Sequence, residues 1–124
     1  MTGVQTCALP ISHTFTGNNT FSTLSYTKTV AGTFTFTAGS TTTVSTWSVN
    51  GTSSANVTIN SSSAGSSAYL VKSGGGTVTM NYTSIRDSGA SPTGTWYALI
   101  ANNNTNVSNN TGWIFSLDGF LMFF

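Results

Sequence analysis

The sequence predicts an all-β chain wound as a solenoid, and three observations predict it. Apolar and hydroxylated residues alternate with the period of a strand in Gly32-Thr-Phe-Thr-Phe-Thr37, Val57-Thr-Ile59 and Val78-Thr-Met80. The intervening positions carry Thr, whose β-branched side chain suits a pleated strand. The apolar pairs recur at near-constant distance: Phe34/Phe36, Val57/Ile59 and Val78/Met80 lie 23 and 21 residues apart, while Leu24/Tyr26, Trp47/Val49 and Tyr69/Val71 lie 23 and 22 apart. Turn residues fall between them at similar phases, at Gly39, Asn50-Gly51, Gly65 and Gly74-Gly75-Gly76. A shared period of that length is the mark of coils of about 22 residues, each laid on the one before.

A coil so short cannot bury its own inward side chains, so it stacks on its neighbours at about 4.8 Å and its inward positions form ladders. The spacing places Phe34, Val57 and Val78 in one ladder and Leu24, Trp47 and Tyr69 in another, with Thr35, Thr58 and Thr79 in a row outside. Cross-sections with two sides or three both fit. A β-sandwich is the alternative fold, because short strands every 8 to 12 residues also suit one. The common period favours the solenoid.

Taken in order, the chain opens on a stretch unlike the rest. Met1 to Ile11 back-translates, with a GTG start read as Met, into a string that looks like a common sequencing-library adapter. It has neither the basic start, the apolar run nor the cleavage site of a signal peptide. Residues 1–12 are therefore expected to be an adapter-derived, non-native segment, followed by solenoid coils over 13–100 and a C-terminal cap and tail over 101–124. The whole is expected to be the C-terminal part of a solenoid truncated at its N-terminus. After Tyr82-Thr-Ser-Ile85 the spacing breaks at the loop Asp87 to Gly94, Trp96 to Leu99 reads as one more strand, and an Asn-rich run leads to Gly112-Trp113-Ile114-Phe115. Aromatic closure is expected there, since an open end of a solenoid is a bare sheet edge.

The run through Val57-Thr-Ile59, Ser61-Ser-Ser-Ala-Gly65, Gly76-Thr-Val78, Tyr82-Thr-Ser-Ile85-Arg-Asp87, Trp96-Tyr97-Ala98 and Asn110-Thr-Gly112-Trp113-Ile-Phe115 resembles the last coils of right-handed parallel β-helix repeat proteins. Such proteins occur among phage structural proteins and bacterial surface proteins. The resemblance covers about Phe15 to Phe115 and rests on structural motifs. It implies a parallel β-helix on a virion or cell surface, a structural or adhesive role, a cell-surface polysaccharide as partner and a homotrimer as the common assembly. It implies no reaction.

Composition narrows the classes further. The 124 residues include three Lys or Arg and two Asp or Glu, for a net charge of +1. No basic patch exists to hold nucleic acid. The single cysteine, Cys7, lies in the adapter-like segment, so disulfides and thiolate metal sites are not expected. No apolar run approaches the roughly 18 residues of a membrane span.

An enzyme reading needs carboxylates. Some β-helices cleave polysaccharides, using paired carboxylates or acidic calcium sites with a basic residue. Here only Asp87 and Asp118 are available, about thirty residues apart. A competent pair is not expected, nor is a cofactor or metal; the competing reading is a polysaccharide-degrading β-helix whose catalytic coils lie upstream. Asp87 is expected to cap a turn with Arg86 outward, and His13 has no second ligand near it. Trp47 fits the core. Trp96, Tyr97 and Trp113, together with Arg86 and Asp87, are the candidate glycan contacts, with capping of the last coil as the structural alternative. Eight Asn-x-Ser/Thr sequons follow from composition. The outward Thr-x-Thr motifs resemble ice-binding faces, but Asn56 and Asn60 flank Thr58 and break the pattern.

Overall fold

A computed structural model describes residues 11–26 and 29–116. Twelve strands follow one another: β1 (Ile11–Phe15), β2 (Asn19–Tyr26), β3 (Gly32–Phe36), β4 (Thr41–Val49), β5 (Val57–Ser61), β6 (Ala68–Lys72), β7 (Val78–Thr79), β8 (Thr83–Arg86), β9 (Ser88–Ser91), β10 (Trp96–Tyr97), β11 (Thr105–Ser108) and β12 (Trp113–Ile114). They lie in three sheets, ordered β1-β3-β5-β8-β11, β2-β4-β6-β9 and β12-β10-β7. Every pairing between these strands is parallel. The chain is thus a β-solenoid of about four turns. A sandwich of antiparallel sheets is excluded by the pairing.

Strand alternation produces this because period 2 sends one set of side chains inward on every rung. In β3 the buried set is Gly32, Phe34 and Phe36; in β5 it is Val57, Ile59 and Ser61. An aromatic column runs through the interior. Phe15 stacks on Phe36 at 4.7 Å, Phe36 approaches Trp47 at 6.5 Å, Trp47 meets Trp96 edge-on at 5.3 Å, and Trp96 meets Trp113 at 5.2 Å. Tilted and edge-on pairs of this kind favour contact of a ring's positive edge with its neighbour's negative face.

The ladders differ from the expected ones in register. Phe34 lies across from His13 and Ile59, and Ile59 across from Ile85; Val57 instead pairs with Gly32 and Thr83. Leu24 does pair with Trp47. Tyr69, however, pairs with Thr41 and points outward, and its neighbour Leu70 is the buried residue. The outer row is Ser12, Thr33, Thr58, Ser84 and Thr105, not Thr35, Thr58 and Thr79. Val78 and Thr79 belong to the third sheet, which starts at β7 and gives the later rungs their third side.

β1 begins at Ile11, so Ile11 and Ser12 of the adapter-like segment are paired with Gly32 and Thr33. At the other end β11 pairs with β8 and β12 with β10, so residues 105–114 form a further rung within the segment expected to hold the cap. The adapter-like residues 1–10 and the tail 117–124, including Asp118, lie outside the described residues.

Candidate functional site

The five candidate contacts do not converge. Trp96 is fully buried and its Nε1 donates to the Ser91 carbonyl at 2.7 Å. Trp113 is buried too, its Nε1 donating to Ser88 Oγ at 3.1 Å. Neither indole offers a face to a sugar, because the two rings pack on each other inside the solenoid. Their sequence neighbours fill the outward positions: Tyr97, half-buried, lies between Thr79 and Ile114 on the third sheet.

Arg86 and Asp87 sit elsewhere, where the first sheet turns into the second. Asp87 has φ 54°, a left-handed conformation that Asp tolerates and that turns the chain between β8 and β9. Its side chain is only 2% exposed. The carboxylate joins three successive rungs: Oδ1 accepts from Asn109 Nδ2 at 2.8 Å and Oδ2 from the Gly65 amide at 3.2 Å. Arg86 Nε lies 2.9 Å from Oδ2, a close approach of charge without hydrogen-bond alignment. The bond from Asn109, then that from Gly65 and the charge of Arg86, outweigh burial and hold the carboxyl below the usual aspartate range. A carboxylate so occupied is a structural clasp. Burial alone raises the phenol of Tyr26, whose hydroxyl donates to the Val30 carbonyl at 2.6 Å.

A second clasp was not apparent from the Asn-rich run. Asn104, 3% exposed, uses its whole amide: Nδ2 donates to the carbonyls of Met80 at 2.7 Å and Leu99 at 2.8 Å, and Oδ1 accepts from Thr83 N and Oγ1 at 3.1 and 2.7 Å. Asn110 acts likewise, donating to the Ile85 carbonyl and accepting from Ser88 N. Several sequon asparagines are engaged in the same way: Asn18 with Thr41 N, Asn50 with Asn81 N, Asn56 with Ser84 Oγ and Asn60 with Thr35 Oγ1. His13 packs edge-on against Phe34 at 5.4 Å.

Among the described residues no group of three His, Cys, Asp or Glu comes together, and no helix is long and apolar enough to cross a membrane. Comparison with protein-family models, with curated proteins and with solved structures finds no match.

Proposed function

We propose that the chain is a structural or adhesive β-helix of a phage tail or bacterial cell surface, serving as a stiff spacer whose hydroxyl-rich faces contact polysaccharide. The observation that carries this is how the rungs are joined. Backbone ladders run along the axis, and Asp87 bonds to residues of the rungs on either side of its own. Side chains that act in other folds as acids or ligands are here committed to holding neighbouring coils in register. What faces outward from the first sheet is mainly Ser, Thr and Asn, which can exchange hydrogen bonds with sugar hydroxyls or with sister chains in a homotrimer.

The test is incubation of the full chain with purified bacterial surface polysaccharides, reading binding, new reducing ends and sedimentation together. Saturable binding without cleavage is expected. Release of reducing ends would overturn the spacer reading in favour of a polysaccharide-degrading enzyme, and a monomer at all concentrations would remove the trimer.

A further inference from the structure

We infer that Tyr69, on the outer face of the second sheet, is the stacking platform of a carbohydrate site that takes an uncharged sugar; this rests on the polysaccharide-contact reading above. Tyr69 is 45% exposed, the most exposed aromatic side chain recorded among the described residues. Its row along the axis is Thr41, Tyr69, Gly89 and Thr111, one residue per rung.

Gly89 shapes the site. A Cβ placed on it would come within 2.6 Å of Tyr69 Cδ1, 2.9 Å of Cε1 and 3.2 Å of Thr111 Oγ1. The phenol ring therefore leans over the glycine and fills the space of the missing side chain, with Thr111 beside it on the next rung. No hydrogen bond of the Tyr69 hydroxyl to another described residue is present. The neighbouring outward row, Thr43, Val71 and Ser91, adds two more hydroxyls.

A ring lying along a sheet, bordered by hydroxyls, matches a pyranose. The axial C–H face of such a sugar is apolar and slightly positive, and it meets the negative face of an aromatic ring while its equatorial hydroxyls reach outward to donors and acceptors at the rim. Charge selects among sugars. Lys72 Nζ donates to the Ser73 carbonyl at 3.0 Å, and Arg86 is paired with Asp87 at 2.9 Å. Lys72 keeps its charge, but its ammonium is held at the Ser73 and Gly75 carbonyls and Arg86 is held at Asp87, so neither is free to pair with a sugar carboxylate. The patch offers a ring and hydroxyls, as a neutral hexose requires.

The experiment probes an array of neutral and acidic oligosaccharides with the full chain, then titrates the neutral oligosaccharides that bind against Tyr69→Ala, Tyr69→Phe and Thr111→Lys. Tyr69→Ala is expected to weaken binding about tenfold, and Tyr69→Phe, which keeps the ring, by no more than a few-fold. Thr111→Lys, at an exposed position, is expected to block the site without changing the melting temperature. If Tyr69 only shields Gly89, as aromatic residues can on sheets, Tyr69→Ala lowers the melting temperature and leaves affinity unchanged, which overturns the site. Should that variant not fold, unaltered binding by Thr111→Lys overturns it equally. Binding confined to acidic oligosaccharides overturns the neutral ligand. A parent chain that binds nothing on the array overturns the polysaccharide-contact reading, and the site with it; a parent that binds unaffected by all three substitutions overturns the site alone.

Discussion

The first rungs and the last are held together by different chemistry. Around β1 to β4 the interior is a cluster of rings: Phe15, Phe21, Tyr26, Phe34, Phe36 and His13 meet at centroid distances of 4.7 to 6.4 Å. Around β8 to β12 the strands shorten to two to four residues, and buried amides and one carboxylate join them beside the single ring column of Trp96 and Trp113. The difference teaches how a solenoid can trade burial for hydrogen bonds. Long strands bring enough inward positions to rely on apolar area. Short ones cannot, so polar side chains at the corners satisfy the backbone groups that the shortened ladder leaves over.

Substitutions can break this comparison at either end. The largest effect belongs to Val57→Asp, which buries an unpaired charge at a site with no exposure and should abolish folding, read as loss of the far-ultraviolet β signal. Phe34→Ala removes the ring that contacts His13, Phe15 and Tyr26, and should cost about 3–5 kcal/mol in denaturant unfolding. Asn104→Ala strips partners from Thr83, Met80 and Leu99, and should cost about 3 kcal/mol. Its damage should appear in amide exchange of β8 and β11 before that of β1 and β3. Equal loss of protection at both ends would mean the rungs unfold as one unit and the contrast has no energetic meaning.

The smallest effect sharpens the comparison by charge. The Asp87 carboxyl is held below its usual range, so its contribution is present in full above the ordinary carboxylate pKa of about 4 and is lost as pH falls through the lowered value. Melting of the parent and of Asp87→Asn should therefore differ at neutral pH and converge in acid. A constant difference across that range would show that the clasp works by shape and not by charge.

Why the fold was legible and the register was not follows from the same alternation. A strand pattern with period 2 fixes which face a residue takes, but a slip of two residues leaves every face unchanged. Pairing Phe34 with Val57 instead of Ile59 is such a slip. The offset between rungs also varies, because small antiparallel bridges at Thr52 to Ala55 and Ser63 to Ser66 lengthen some corners. Where two apolar residues adjoin, even the face is ambiguous: Tyr69-Leu70 and Trp96-Tyr97 each send one ring or chain inward, and nothing local says which. Tyr69 was thus hidden among core residues, while Trp96 and Trp113 stood out as surface candidates. The buried role of Asn104 was hidden among other asparagines, since a clasp depends on a backbone carbonyl more than twenty residues away.

The scarcity of free charge on the described faces has a kinetic side. With Arg86 set against Asp87, Lys72 is the one side-chain charge left without an opposite partner among the described residues, so only a weak electric field extends from these rungs into solvent. Encounters with a partner are then little hastened by attraction at long range and little slowed when ions screen it. A surface of this kind meets its target at nearly the same pace in fresh water as in brine, and its contacts last about as long as short-range fit allows.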